Sequence, residues 1–478
     1  MHFLKKMFSF SIGNIAALFI GVISIPIITR LIPPAEYGIA NLFVTVGSLL
    51  SIISLAGLDQ AFVRFFYETK KIDLLKKCLI VTLTITLILS VFLVFFDSKF
   101  SRLISPDSSF SILLILYILT LMIFQFSVLI LRMMQYGYRY SLIQVLQKIF
   151  DLLFIVSLVF LFSPDRYAVI IGTIITFSIL SLITLYLSRP FWKINDNETR
   201  KISYKELLKY SIPLLGASFM AILFQSTDKL LLNKWVSNEE LGIYTAAFKL
   251  IAILNIIQSS FAVIWAPVSI ENYKKNPENR DFFSKISKII TITMIMVCIL
   301  VVLFKDIIVL FLGSEYREAS SIIAFLTLMP VLYTMSETTV QGVNFVLKSY
   351  IHIIISSVSL ILNILLCLLF IPRLGTIGAA VALCLSYFVF YLLRTYFGLK
   401  YFYFNIKIWE TIIMLSLLIF WISLVVFIGN KLILFLGGSF LVTLLFILFK
   451  QEVYEIGTFM KMNFHLMNYK YKNKNHSD

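Results

Sequence analysis

The sequence predicts an all-α polytopic membrane protein with about 14 transmembrane helices: two homologous six-helix lobes plus two C-terminal helices. Three observations predict this fold. The 478 residues are 60% hydrophobic with a mean hydropathy of +0.94, more apolar surface than a soluble core can hide, so the solvent must be lipid. Every second connection between the apolar segments is rich in Lys and Arg, as expected if these connections lie on one side of a membrane. In addition, one sequence unit occurs twice.

The apolar segments define the predicted helices, because a helix needs about 20 residues to cross the hydrocarbon core. An amphipathic turn at 313–317 separates the ninth segment from the tenth. In chain order, the segments are 8–29, 39–58, 78–96, 111–131, 142–162, 167–187, 208–232, 242–266, 288–311, 319–345, 351–371, 377–396, 411–428 and 432–449.

The distribution of Lys and Arg supports this order and gives an orientation. With the N-terminus in the cytoplasm, the inner connections carry about three times as many Lys and Arg residues as the outer ones. Both termini are then cytoplasmic. The net charge of +16 is explained as a topology signal, and we expect no nucleic-acid partner.

The repeated unit divides the chain. Arg30-Leu31-Ile32, Glu36-Tyr37-Gly38-Ile39 and Lys70-Lys71 are matched 204 residues later by Lys234-Trp235-Val236, Glu240-Leu241-Gly242-Ile243 and Lys274-Lys275. An even number of crossings separates the copies, so the lobes should be related by an axis along the membrane normal. The predicted divisions are an N-terminal lobe 1–187, a basic cytoplasmic linker 188–207, a second lobe 208–400, two appended helices 401–450 and a basic tail 451–478.

Enzyme chemistry has no signature in this sequence. There is no phosphate-binding Gly-x-x-x-x-Gly-Lys-Ser/Thr loop, and no nucleophile, base and orienting group lie together. The four cysteines fall in or beside apolar segments without metal-ligand spacing. We therefore expect no catalytic residues, no cofactor and no metal site.

Two charges inside the second lobe are the strongest candidates for a substrate pathway. Lys249 lies about 12 Å deep in the eighth helix, and Asp228 lies about 10 Å deep in the seventh, counted from the outer surface. Charges at such depth are costly and are usually functional. We expect Asp228 and Lys249 to pair; the alternatives are an ion pair that only fixes packing, or a lysine that extends to the outer surface. The matching positions of the first lobe are Ser24 and Thr45.

Other charged residues near helix ends or inside spans complete the candidate pathway. Glu337 interrupts the tenth helix among polar neighbours, which favours a role facing protein or water. For the cations at helix ends, an interfacial anchor is the alternative. The further candidates are Arg30, Arg64, Asp59, Lys148 and Asp151.

Several segments resemble a known family. They are Lys209-Tyr210-Ser211-Ile212-Pro213-Leu214, Asp228-Lys229-Leu230-Leu231-Leu232, Glu240-Leu241-Gly242-Ile243-Tyr244, Trp265-Ala266-Pro267 and the run from Ile371 to Ala380, together with the Arg30 to Gly38 unit. These segments are similar to those of Wzx-type O-antigen and polysaccharide flippases, in the multidrug/oligosaccharidyl-lipid/polysaccharide (MOP) exporter superfamily. The resemblance extends to about residue 450.

The resemblance implies a two-lobed fold around a central cavity lined mainly by helices 1, 2, 7 and 8. It implies a flippase that moves undecaprenyl-diphosphate-linked oligosaccharide from the inner to the outer leaflet of a bacterial cytoplasmic (inner) membrane. A diphosphate needs fixed cations on its path, and Arg30, Arg64 and Lys249 lie on three of those helices. The implied partners are the lipid-linked oligosaccharide, the lipid bilayer, H⁺ or Na⁺ as a coupling ion, and a polysaccharide polymerase.

Two other functions stay open at this stage. A drug or metabolite exporter of the same superfamily would favour acidic residues in the membrane core of the first lobe, whereas Asp59 and Asp151 are expected near helix ends. A membrane-embedded polysaccharide polymerase would favour a sizeable outer loop, and every predicted outer turn is short.

Overall fold

The computed structural model describes residues 2–104, 110–192, 200–348, 350–452 and 454, and all regular structure in these residues is helical. Thirteen helices in this part of the chain are long and apolar enough to cross a membrane. The first half contains α1 His2–Leu31, α2 Pro34–Leu55, α3 Leu58–Phe65, α4 Lys71–Phe95, α5 Asp97–Ile104, α6 Ser111–Met133, α7 Gly137–Leu161, α8 Arg166–Leu187 and α9 Arg189–Trp192. The second half contains α10 Tyr204–Trp235, α11 Asn238–Lys275, α12 Arg280–Leu303, α13 Lys305–Val309, a 3-10 helix Ser314–Tyr316, α14 Ala319–Leu326, α15 Leu328–Thr339, α16 Gln341–Phe345, α17 Tyr350–Tyr401, α18 Ile408–Ile428 and α19 Lys431–Leu448.

The 52-residue α17 accounts for two of the predicted crossings. Its helical geometry breaks at Gly375, where φ is 55° and ψ is −132°. Only glycine adopts such a backbone conformation without strain. The predicted helices 351–371 and 377–396 are therefore the two arms of α17, and the all-α polytopic fold is confirmed.

Several helix boundaries differ from the prediction in ways that move candidate residues. Ala56 and Gly57 both adopt the left-handed conformation and separate α2 from α3, so Arg64 lies on α3 rather than at the end of a membrane-spanning helix. The seventh predicted helix extends to Trp235, and the eighth begins at Asn238. Asp151 lies well inside α7, which begins at Gly137, as it does inside the predicted segment 142–162, so the expectation that it lies near a helix end is wrong.

The described chain forms two compact units whose borders differ from those of the predicted lobes. The first unit comprises Met1–Ile256, Val309–Ile322 and Ser356–Leu383. The second unit comprises Ile257–Ile308, Ile323–Ile355 and Cys384–Asp478. The division into homologous lobes and the linker at 188–207 stay predictions. Residues 193–199 of the linker and most of the tail lie outside the described residues.

Each unit has its own apolar core. In the first unit, Phe62, Phe66 and Phe126 pack edge to face at centroid distances of 5.3 and 6.4 Å. In the second unit, Phe283 packs against Trp265 and Phe402 at 5.8 and 5.0 Å. Such aromatic pairs add to the free energy gained from burial, which holds these helices together.

Helix surfaces outside these cores are apolar as well. On α4, Leu87 is 67% exposed and Ile88 is 63% exposed. A soluble protein would not expose such a continuous apolar surface, whereas a bilayer solvates it. The structure thus agrees with the lipid environment that composition predicts.

The two copies of the sequence repeat contact each other inside the first unit. A Cβ atom at Gly38 would collide with the carbonyl oxygen of Asn238 and the amide nitrogen of Gly242. A Cβ atom at Gly242 would collide with the carbonyl oxygen of Pro34. Pro34 and Asn238 are 204 residues apart, as are the two glycines, so each copy presents the same positions to the other. We call Pro34, Gly38, Asn238 and Gly242 the inter-repeat contact.

Other interactions fix the turn at the start of α2. Glu36 accepts two hydrogen bonds from the Arg166 guanidinium, at 2.6 and 2.7 Å. Tyr316 donates a hydrogen bond to the carbonyl oxygen of Ile32 at 2.8 Å. The backbone amide of Gly313 donates to Thr29 Oγ1 at 3.3 Å. The inter-repeat contact is therefore held in place by polar bonds on two sides.

Candidate functional site

Three of the predicted pathway residues line one cavity of about 210 Å³ in the first unit. Lys148 and Asp151 come from α7, and Lys249 comes from α11. The remaining walls are α1 and the start of α2, with Ser24 and Tyr37 among the polar lining residues. We call this the lysine cavity. Its lining residues belong to the predicted helices 1, 5 and 8, together with Tyr37, which lies two residues before the predicted second helix.

The lysine cavity has more positive than negative charge. Neither Lys148 nor Lys249 forms an ion pair with another described residue. The Lys249 Nζ atom lies 4.8 Å from the centroid of the Tyr37 ring, and the Lys148 stem lies beside Gly21 of α1. Asp151 accepts a hydrogen bond from Thr173 Oγ1 at 3.1 Å. The lining side chains thus carry two ammonium groups and one carboxylate.

This charge balance has a chemical consequence. An ammonium group at membrane depth costs about 3 kcal/mol on insertion scales, and the aromatic face of Tyr37 offsets only part of that cost. A bound anion would offset more, since Coulomb attraction strengthens where water is excluded. The site is suited to hold an anionic group between α1, α7 and α11.

A second and larger cavity, of about 470 Å³, lies elsewhere in the first unit. Its walls come from α2, the start of α3, α6, α8 and α10. Asp59 is the single charged residue among its lining residues. We call this the hydroxyl cavity, after its polar lining residues Ser48, Ser51, Asp59, Tyr117, Gln125 and Ser218.

The predicted pairing of Asp228 with Lys249 is wrong for the described structure. Asp228 is fully buried and accepts a hydrogen bond from the Tyr244 hydroxyl, whereas Lys249 lies over Tyr37. The reason is helix length. Because α10 ends at Trp235 and α11 begins at Asn238, Tyr244 is level with Asp228, and Lys249 lies more than a turn deeper.

Sequence reasoning did not identify the partners of Asp228. In the sequence, Tyr244 looks like an ordinary aromatic residue in an apolar helix. The only signal for this contact was that Tyr244 and Asp228 lie about the same number of residues from the α10–α11 turn. Lys229, adjacent to Asp228, interacts with its charge and lies 4.0 Å from the centroid of the Phe248 ring. The Asp228 Oδ1 atom has no hydrogen-bond partner in the described structure.

Glu337 has a partner that the sequence analysis missed, within the second unit. Arg394 of α17 donates hydrogen bonds to Glu337 Oε1 at 2.9 Å and to Ser336 Oγ at 2.8 Å. Its guanidinium also lies 5.1 Å from the centroid of Tyr333 and 5.2 Å from that of Phe390. Arg394 is only 6% exposed. Glu337 is therefore part of a buried ion pair and lines neither described cavity.

Replacing Arg394 with Met should strongly destabilise the protein. The substitution leaves the largely buried Glu337 carboxylate without its cation, and breaking a buried ion pair in this way costs about 3–5 kcal/mol. We expect the double variant Arg394→Met/Glu337→Met to recover much of this loss, since no uncompensated charge remains. Thermal unfolding of the three purified proteins, followed by tryptophan fluorescence, tests this. A double variant no more stable than Arg394→Met would contradict the role of the pair.

The remaining candidates, Arg30 and Arg64, lie outside both cavities. Arg30 is exposed at the end of α1. Arg64 is exposed on α3 and pairs with Glu68, which also contacts Arg200 at 3.6 Å. In the described structure these arginines stand at helix ends, as interfacial anchors do. No group of three or more His, Cys, Asp or Glu residues within the described ranges could hold a metal ion.

Comparison with known proteins identifies a protein family whose model matches this chain. The model of a family described as "Polysaccharide biosynthesis protein" matches residues 3–273, more than half of the chain. The chain belongs to this family. The match to the polysaccharide biosynthesis protein family includes both cavities and the complete inter-repeat contact.

A curated relative has a related description. The chain is 23% identical over 228 residues to the probable low-salt glycan biosynthesis flippase Agl15 of Haloferax volcanii. The match covers 47% of this chain and 46% of that protein, so the chain spans about half the length of the relative that it matches.

Solved structures of membrane transporters share the fold of this member of the polysaccharide biosynthesis protein family. The lipid II flippase MurJ in its inward closed conformation matches with a TM-score of 0.68 and 17% identity, covering 93% of this chain and 99% of that one. A multidrug resistance MATE family transporter of the MOP superfamily, in an outward-facing conformation, matches with a TM-score of 0.53 and 17% identity, covering 83% and 95%. The predicted multi-pass, all-α fold is confirmed, and these transporters share it.

Proposed function

We propose that this protein is a flippase that moves undecaprenyl-diphosphate-linked oligosaccharide repeat units across a bacterial cytoplasmic membrane, for surface polysaccharide biosynthesis. One observation carries the proposal: two lysines without carboxylate partners face a cavity inside a membrane-spanning helix bundle. Family membership and the relative described as a glycan biosynthesis flippase support it.

The lysine cavity would bind the diphosphate. Lys148 and Lys249 approach it from different helices, so both ammonium groups can contact one anion. The apolar outer faces of helices such as α4 allow the lipid tail to stay in the bilayer while only the headgroup crosses. Moving the headgroup across the membrane in this way breaks no covalent bond, so it needs no catalytic group.

Alternating access needs a closure that can open and re-form. The inter-repeat contact lies on the outer side under the topology that the Lys and Arg distribution predicts. In the described structure the contact is closed, since the Gly38 and Gly242 backbones approach the opposite copy without room for a side chain. We propose that it separates when the headgroup leaves towards the outer leaflet.

We further propose that Asp228 couples transport to an H⁺ or Na⁺ gradient. Its carboxylate is fully buried and has one oxygen atom without a hydrogen-bond partner. A buried carboxylate in a membrane span is commonly a site of proton or cation exchange. Transport by an Asp228→Asn variant should then respond less to an imposed ion gradient than transport by the unmodified protein.

Reconstitution tests the proposed function directly. Vesicles are prepared with undecaprenyl-diphosphate-linked oligosaccharide in both leaflets, and an added glycosidase digests only the glycan on the outside. Without transport, digestion should stop at about half of the substrate; with an active flippase it should go on towards completion. Digestion that stops at half in vesicles containing folded protein, with and without ion gradients, would refute the proposal.

The native cell gives a second test, which includes the polymerase alternative. Deleting the gene should abolish surface polysaccharide while finished lipid-linked oligosaccharide accumulates in the inner leaflet. Unpolymerised units that accumulate outside would instead indicate a polymerase. A polysaccharide polymerase is the partner we expect next in the sequence of reactions.

An exporter of cationic drugs or metabolites is the second candidate function. The structure strengthens it in one respect, because Asp59 and Asp151 both line cavities, and Asp151 lies well inside α7 rather than near a helix end. The two unpaired lysines argue against it, since they would repel a cationic substrate. Vesicle uptake of ethidium with no transport of the lipid-linked glycan would move the exporter to first place.

A further inference from the structure

The hydroxyl cavity has the composition of a sugar-binding site. Its polar lining residues come from α2, α3, α6 and α10, so hydrogen-bonding groups converge from several directions. Phe177 and Tyr117 also line it, and their rings pack edge to face at 5.9 Å. Its volume of about 470 Å³ is within the range of small-molecule sites, about 300–1,000 Å³.

Some of these polar groups are bonded within the protein and others are not. Ser51 donates to the carbonyl oxygen of Ser48 at 2.8 Å, and Ser48 Oγ lies 3.4 Å from the Tyr117 hydroxyl. The side chains of Gln125 and Ser218 have no hydrogen-bond partner among the described residues. The hydroxyl groups on α2 and Tyr117 are thus held by bonds within the protein, whereas the side chains of Gln125 and Ser218 are available to a ligand. This arrangement suits a ligand rich in hydroxyl or amide groups.

Asp59 determines the charge of the cavity. Its carboxylate accepts a hydrogen bond from the neighbouring Gln60 at 2.8 Å and forms no ion pair with a described residue. No lysine, arginine or histidine lines the hydroxyl cavity. A carboxylate without an ion-pair partner attracts an ammonium group, accepts hydrogen bonds from hydroxyl groups and repels another carboxylate.

The two cavities share a helix, and their spacing fits one elongated ligand. Tyr37 borders the lysine cavity, and Ser48 and Ser51 border the hydroxyl cavity, 11 and 14 residues further along α2. At the rise of an α-helix these positions are about 16 to 21 Å apart. A diphosphate with attached sugar residues has such a shape, with its anionic and hydroxyl-bearing parts at different ends.

We propose that the hydroxyl cavity binds sugar residues of the lipid-linked glycan, and that Asp59 makes it selective for neutral or amine-bearing sugars over sugar acids. This inference rests on the proposed function for the diphosphate end of the ligand. It adds the substrate class that the sugar end accepts and names Asp59 as the specificity-determining residue.

Binding measurements with four probes test the proposal on the full-length protein in nanodiscs. The probes are farnesyl diphosphate alone and farnesyl diphosphate carrying a trisaccharide that ends in N-acetylglucosamine, glucosamine or glucuronic acid, because a single sugar on the diphosphate would not reach a cavity about 16 to 21 Å away. We expect the first two sugar-bearing probes to bind about tenfold more tightly than farnesyl diphosphate, as one or two good hydrogen bonds would give. The glucuronic acid probe should show no such gain.

Two substitutions make the test specific. In Asp59→Asn the glucosamine probe should lose about tenfold in affinity and the glucuronic acid probe should gain, because the repelling charge is gone. Gln125→Ala should weaken the sugar-bearing probes while leaving farnesyl diphosphate unchanged. Unchanged binding of farnesyl diphosphate also shows that each variant is folded.

The outcomes separate this inference from the proposed function. Lys249→Gln should weaken all four probes by a similar factor, since they share the diphosphate. If farnesyl diphosphate binds in a Lys249-dependent way but Asp59→Asn leaves the order of the sugar probes unchanged, the hydroxyl cavity is a packing feature and the inference is wrong. If no probe depends on Lys249 but the ranking of sugars still depends on Asp59, the proposed diphosphate site is wrong and the sugar site stands. Absence of binding by all probes would overturn both.

Discussion

Lys249→Gln should lower the rate of lipid-linked oligosaccharide flipping by at least about tenfold. The substitution keeps a polar side chain, one atom shorter than lysine, but removes a charge that no carboxylate partner neutralises in the described structure. One lost contact between an ammonium group and a phosphate is worth about 1.5–3 kcal/mol, or about tenfold to a hundredfold. Combined with Lys148→Gln, which empties the lysine cavity of cations, the loss should approach the background of protein-free vesicles.

A matched control lies on the same helix. Lys274 is exposed near the C-terminal end of α11 and lines neither cavity, so Lys274→Gln should retain full activity. Lys249→Arg, which keeps the charge, should retain part of it. Equal flipping rates for Lys249→Gln and Lys274→Gln, in vesicles with equal amounts of inserted protein, would exclude a role for this cation in transport.

Gly242→Ala should be similarly damaging, although it changes no charge. The added methyl group would collide with the Pro34 carbonyl oxygen, a backbone atom that cannot move aside like a flexible side chain. Overpacking of this kind costs about 1–3 kcal/mol, which would shift the equilibrium away from the closed inter-repeat contact by about 5- to 150-fold. We expect slow transport and a population with this contact separated.

Spin-label distances measure that population. Labels at Ala35→Cys and Glu239→Cys flank the inter-repeat contact, and the four native cysteines are buried. The short distance should dominate in the parent protein, and Gly242→Ala should lengthen it. Gly216→Ala is the control, because Gly216 lies inside α10 with no atom within 4 Å of an added Cβ, so it should be neutral or slightly stabilising. A short distance that persists in Gly242→Ala would show that the contact adapts to the methyl group.

The helical architecture was predictable because it depends on properties that the sequence shows directly. Membrane-length apolar segments and alternating Lys and Arg residues give the number of crossings, and a strict 204-residue spacing gives the repeat. Even the break in α17 was expected from the two apolar segments on either side of Gly375. These signals are local or periodic, so they need no knowledge of which helices pack together.

The site was predictable only in part, because pairing depends on helix ends and on packing. Lys249, Lys148 and Asp151 were each chosen for their charge, but their meeting in one cavity needs the packing of α1 and α7. Because the ends of α10 and α11 were predicted only to within a few residues, Lys249 was expected to be the partner of Asp228, whereas the partner is Tyr244. Arg394 was missed because it lies far along the chain from Glu337 and close to the end of a predicted segment.

The inter-repeat contact also bears on how such a protein can acquire new substrates. It is made by backbone atoms of Pro34, Gly38, Asn238 and Gly242, and none of these four residues lines the lysine or the hydroxyl cavity. Mutations that alter the cavities can therefore accumulate without disturbing the closure, and a chain can diverge in specificity while it keeps one mechanism of opening. An engineer who wishes to redirect the protein to another glycan has the same freedom, provided that the two glycines are left alone.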